Sequence, residues 1–271
     1  MGATTSEADP GGRRTDVADE WTGLDIADDA PGALRDRPPN PLAIPDPDAP
    51  VSGHHPARES SGPASVAPEH DWSAARSLVF PIVRPAGTVG AAADTPLDVL
   101  RSSPAAHTTP LVAEGPAGLV VSFTLAGGGF DVLVNGEHLL SWGIDAAELA
   151  AVAGENLAAW SAEAPWTTEG ADGRHLLSSD TGSGHDAARI LLDAARAHIV
   201  RELMAVSVPG TRLLVGLPDR DLLVVGTLAP NDPDFGPQFQ DFIVEHSGGA
   251  DEPIERRVFE LVGGDLVDFA G

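Results

Sequence analysis

Three chemistry-bearing side chains crowd one stretch of this 271-residue chain: His185, Asp186 and Arg189, directly after the glycine-rich run Thr181-Gly182-Ser183-Gly184. An imidazole oriented by a carboxylate is a general base, so the trio is a candidate hydrolase-type site. The plainer reading is an exposed helix start: Ser183 or Gly184 caps the helix, Asp186 favours its positive end, and Arg189 is spaced to pair with Asp186. A phosphate on the glycine loop would meet repulsion from Asp186 and find no supporting lysine. Gly182-Ser183-Gly184 also lacks the Gly-x-Ser-x-Gly spacing of a nucleophile elbow. A second cluster, Asp219-Arg220-Asp221, follows Pro218 between two apolar runs. It is first a hairpin turn, but three charges on a short rigid turn also present a recognition surface, so these are the candidate binding residues. His198 stands four residues before Glu202, a two-ligand spacing. The other histidines are scattered, and no metal site is expected.

The missing residue types exclude more. The chain has no Cys and no Tyr, and all 16 basic residues are Arg. Without Cys there is no disulfide, thiol nucleophile, iron–sulfur cluster or thiolate zinc site. Without Lys there is no Walker lysine or Schiff base, and no cofactor is expected. With 41 acidic residues the formal net charge is −25. Such a chain repels nucleic acid and anionic membrane surfaces, and steers toward a basic protein partner. Salt adaptation and a GC-rich genome both fit the composition. No secretory pattern or membrane-length apolar run is visible, so the expected compartment is the cytoplasm; Met1–Ser6 fits a myristoylation pattern only loosely.

Positioning these residues falls to the second part of the chain. Residues 77–271 hold 27 acidic residues and 10 arginines, leaving −17 on the domain itself. The apolar runs at 78–83, 119–125, 130–134, 213–217, 222–228, 258–262 and 266–269 read as strands, mostly joined in hairpins. Helices are expected at 146–161, where Asp145 caps, Glu148 sits in capping-box spacing and Ile144 can staple to Leu149, and at 185–204 and 239–246. Residues 162–174 read as a polar connection, and Trp142, Trp160 and Trp166 as core. The fold class is α+β: an antiparallel or mixed sheet built from hairpins with helices on one face, in one domain or in two subdomains, 77–161 and 175–271. Residues 1–76 are rich in Pro, Gly, Asp and Ser, and read as a disordered acidic tail. Trp21, Leu24 and Ile26 form an acidic–hydrophobic pattern within it.

Several segments together resemble the YtpQ-like bacterial proteins, the family described as domain of unknown function 1444. They are Phe80-Pro81-Ile82-Val83-Arg84, Pro110-Leu111-Val112, Trp142 to Leu157, Gly184-His185-Asp186-Ala187-Ala188-Arg189-Ile190-Leu191, and Val215 to Leu223 with its Pro218-Asp219-Arg220-Asp221 turn. Order and spacing agree over about residues 78–269. The resemblance implies that Asp186, Arg189, Pro218 and Asp221 are motif positions, and that a structured N-terminal region of the relatives is replaced here by the tail. It brings no activity. The order of the second half is also similar to small chaperone-like α+β folds of the secretion-chaperone and YbjN type. The expected function is a non-enzymatic protein-binding adaptor or chaperone-like module, with a hydrolase at His185, Asp186 and Arg189 as the alternative.

Overall fold

The computed structural model describes residues 67–103, 107–127 and 130–271. These all fall in one compact unit. The fold is α+β, with two sheets where the sequence suggested one.

The first sheet is mixed. Its centre is β4 (Val120–Gly127), flanked on one side by β1 (Val79–Arg84). On the other side β3 (Leu111–Glu114) and β5 (Phe130–Leu133) pair with successive halves of β4. The two-residue β2 (Ala91–Ala92) adds parallel to β3. As an edge strand, β1 tolerates Pro81. The period-2 alternation sorts the side chains. Val121, Phe123 and Leu125 enter a core with Val79, Leu149 and Ala153. Ile82, Ser122 and Thr124 face the other way and are also buried.

The inner face is covered by α3 (Gly136–Trp142) and α4 (Ala146–Glu163). Asp145 caps α4 as expected, accepting from Glu148 N at 2.8 Å, and both staple residues, Ile144 and Leu149, are buried. The preceding α3 is capped by Asn135, whose side chain accepts from His138 N at 3.2 Å. Ahead of β1, the single turn α1 (Trp72–Ala75) is capped by Asp71. Trp142 donates to Pro68 O at 2.8 Å, and Asn156 donates to Arg76 O and Val79 O at 2.8 Å each. Residues 67–76, which composition assigns to the tail, thus carry structure: Trp72 and Trp142 share a contact that composition does not register. The expected disorder of residues 1–66 and the Trp21–Ile26 pattern lie outside the described residues. Also in this half, α2 (Leu97–Ser102) buries Leu100.

The second sheet is wholly antiparallel, in the order β11-β10-β8-β9-β7-β6. Its strands are β6 (Thr167–Ala171), β7 (Arg174–Ser179), β8 (Arg212–Asp219), β9 (Leu222–Leu228), β10 (Phe259–Val262) and β11 (Asp265–Asp268). Helices cover both of its faces, not one. Leu213, Val215, Leu217 and Val225 pack with Ile199 and Leu203 of α5 (Asp193–Met204). Leu214 and Val224 pack with Phe235, Phe239 and Ile243 of α6 (Phe235–Gly249). Two-sided burial is why β8 and β9 read as unbroken apolar runs rather than alternating ones. A Cβ on Gly216 would lie 2.7 Å from Ile243 Cγ1, so the glycine lets α6 rest on the sheet. The supposed connection at 162–174 contains β6, a fully exposed edge strand whose polarity disguised it. The helix expected at 185–204 is broken: a tight turn at Ala187–Leu191 precedes α5, with Leu192 extended between them. No helix among the described residues is long and apolar enough to cross a membrane.

Candidate functional site

His185, Asp186 and Arg189 are not an exposed helix start. Their residues are 7 %, 0 % and 1 % exposed. Asp186 accepts from Ser179 Oγ at 2.5 Å and from Thr181 Oγ1 at 2.8 Å. Arg189 reaches Asp186 through the same hydroxyl, its Nη1 donating to Ser179 Oγ at 2.8 Å. Its four other N–H groups also have partners: Nε donates to Ser161 Oγ, Nη1 to Pro165 O, and Nη2 to Ser161 O and Ala164 O, at 3.0 to 3.3 Å. The guanidinium carbon lies 3.7 Å from the centre of the Trp166 ring. Burial brings this arginine down to about 10, which leaves it charged at neutral pH. Arg189 therefore caps the carbonyl end of α4, where a cation meets the negative end of the helix. All five donors are spent, so none is left for a substrate.

The His185 ring stacks on Phe80 at 4.0 Å and meets Trp160 edge-on at 5.5 Å. Its Nδ1 is buried without a hydrogen-bond partner. Burial, and then the field of Arg220, hold its pKa below the ordinary imidazole value. Among the described residues no carboxylate hydrogen-bonds to this ring. The trio forms a packed node joining β7, α4 and the turn before α5.

The other sequence candidates open onto solvent. Asp219, Arg220 and Asp221 line a cleft of about 940 Å³. Its floor is the outer face of the first sheet, where period-2 spacing brings Ile82 and Arg84 of β1, Thr124 of β4, and Asp131 and Leu133 of β5 to one side. Gly182–Gly184 and the segment Asp251–Glu252 complete its walls.

Arg220 braces the cleft. It pairs with Asp131 and with Glu252, the latter at 3.2 Å, and donates to Gly184 O at 3.3 Å. Burial opposes its charge, but the bond to Asp131 and the field of Glu252 prevail and hold its pKa above the usual value. Gly184 makes this possible: at φ +78° it bears no Cβ, which would lie 2.8 Å from Arg220 Cζ. Asp221 Oδ1 accepts from Gly184 N at 2.5 Å, and Asp219 Oδ1 accepts from Asp221 N at 2.7 Å. Burial pushes the Asp219 carboxyl above its ordinary pKa.

The lining thus holds five carboxylates, Asp131, Asp219, Asp221, Asp251 and Glu252, against two guanidiniums, Arg84 and Arg220. Sequence reasoning found the turn and missed Asp131, Arg84, Asp251 and Glu252. For Asp131 and Arg84 the signal is strand alternation; for Asp251 and Glu252 no local signal exists. The His198–Glu202 pair is present at 3.8 Å, but Arg201 donates to His198 Nδ1 at 2.7 Å. Among the described residues no group of three or more His, Cys, Asp or Glu is placed to hold a metal ion. Comparison with known proteins gave no match to any family profile, any curated protein or any solved structure.

Proposed function

We propose that this chain is a non-enzymatic protein-binding module whose cleft takes a basic segment of a partner protein. The observation that carries the reading is the charge of the cleft: five carboxylates face two guanidiniums, one of them already neutralised by Asp131 and Glu252. The apolar floor residue Leu133 supplies surface for the stem of a long cationic side chain. A domain at −17 steers such a partner and repels nucleic acid. The hydrolase alternative at His185, Asp186 and Arg189 loses support, since these side chains serve the packed node. Membership of the YtpQ-like family and cytoplasmic residence belong to the same proposal, and rest on the ordered motifs and on the composition.

The test is fluorescence anisotropy with a labelled, C-terminally amidated peptide bearing internal arginines, against the same peptide with glutamates. The arginine peptide should bind the full-length protein, and rising salt should weaken it. Asp219→Asn and Asp221→Asn should each weaken it about three- to tenfold. In Asp219→Asn the new amide oxygen can still accept the turn N–H. Removing a charge that burial opposes should therefore leave the melting temperature of this variant equal or higher. Equal binding of both peptides, or binding indifferent to both substitutions, refutes the reading.

A further inference from the structure

We propose that the cleft reads the C-terminal end of its partner segment, with Arg84 taking the terminal carboxylate while the carboxylates of the β8–β9 turn take basic side chains. This rests on the reading above and specifies its ligand. Arg84 closes β1 and is half-buried. It lines both the main cleft and a smaller pocket of about 190 Å³ beside it, which it shares with Arg220, Asp251 and Glu252 and which Pro85, Pro253 and Ile254 close. The two guanidiniums of the cleft differ in their engagement. Arg220 is held by Asp131, Glu252 and Gly184 O. Arg84 makes no hydrogen bond or ion pair with any described residue.

A half-buried, unpaired guanidinium is a receptor for a planar anion, and its fork matches a carboxylate through two parallel N–H···O bonds. The cleft offers that one unpaired cation at the end of β1, with Asp251 beside it in the smaller pocket, and two further carboxylates at the β8–β9 turn. The complementary occupant has one carboxylate at its end and cations further along, which describes a peptide terminus with basic residues. A wholly cationic internal segment would leave Arg84 facing like charge. The main cleft is near the upper end of the volumes that enclose drug-sized ligands, so it has room for several residues rather than one free amino acid.

The experiment uses the full-length protein and an N-terminally labelled Gly-Gly-Arg-Gly-Arg peptide in two forms, free acid and C-terminal amide, with free arginine as competitor. The acid should bind roughly ten- to a hundredfold more tightly than the amide, the range of one charge-assisted pair. In Arg84→Gln the two forms should bind equally, at the level of the amide. Because Arg84 has no partner to lose, this variant should melt with the wild type. Equal binding of acid and amide to the wild type overturns the terminus reading and leaves the basic-segment reading standing. Discrimination that survives in Arg84→Gln overturns the assignment to Arg84. Free arginine competing as well as the peptide overturns the peptide as the source of the carboxylate. Failure of both peptide forms to bind overturns this inference and the proposed function together.

Discussion

Arg189 should be worth more to this fold than any other polar side chain. Replacing it with Met keeps an apolar stem, but removes the guanidinium stacked on Trp166 and, with it, five hydrogen bonds from a residue that is 1 % exposed. Bonds from a charged donor contribute at least about 1.5 kcal/mol each, so the gross loss is roughly 7 kcal/mol. Against it stands relief from burying the cation. The fall in pKa from the ordinary guanidinium value to about 10 corresponds to roughly 3 kcal/mol of penalty at about 1.4 kcal/mol per pH unit. The net cost is about 4 kcal/mol, within the range found when a buried charged partner is removed. For a domain of this size that lowers the melting temperature by roughly 8 to 16 °C. Urea titration followed by circular dichroism should show a lower midpoint at unchanged slope. Arg189→Lys keeps the charge but not the planar fork, and should recover less than half of the loss. A cost under about 1 kcal/mol for Arg189→Met would refute the reasoning. So would a variant of unchanged stability that abolished an enzymatic turnover, which would return Arg189 to a catalytic role.

Two further expectations concern its neighbours. His185 is buried with its pKa lowered, so the unfolded chain takes up the proton first: its contribution is complete above about pH 6.5 and is lost as pH falls below that value. His185→Phe keeps the stack on Phe80 and removes the unpaired Nδ1; at pH 7.5 it should change stability by under about 1 kcal/mol. Its urea midpoint should fall less steeply between about pH 6.5 and 5 than the wild type's. His138 and His198, shifted in the same direction, keep some of the slope, and a slope as steep as the wild type's would contradict the assignment. Gly184→Ala forces a Cβ against Arg220 at a positive φ, and should cost about 1 to 3 kcal/mol while loosening the bridge to Asp131 and Glu252. A melting temperature within a degree of the wild type's would contradict it.

The sequence made the elements legible where a local rule acts alone. The cap at Asp145 and its staple marked α4, and apolar runs around turn residues marked the β4–β5, β8–β9 and β10–β11 hairpins. It failed where partners far apart in the chain decide. The turn at Ala187–Leu191 follows from Arg189 finding acceptors at Ser161, Ala164 and Pro165, more than twenty residues earlier, and from Ala187 N donating to Arg220 O at 3.1 Å. Helical periodicity persists through residues 185–204, so the break is invisible without those partners. Half of the candidate site was visible for the same reason. Asp219-Arg220-Asp221 stands out as a charged turn, whereas Asp131 and Arg84 join it only through the register of the first sheet.

The segment from Ser179 to Arg189 has two tasks, and its residue types divide accordingly. The charged residues that turn inward find full partnership: Asp186 has two hydroxyl donors and Arg189 has five acceptors. Those that turn outward are small, and Gly182, Ser183 and Gly184 yield their space to the cleft. The cleft itself is left unbalanced. Asp219 is held with its carboxyl opposed by burial, Asp251 is exposed, and Arg84 has no partner among the described residues. A chain able to satisfy Arg189 completely shows that its architecture can neutralise buried charge. Uncompensated charge gathered in one concavity a few residues away is therefore a departure from the local rule that prevails around it, and such departures concentrate where a second molecule completes the pairing.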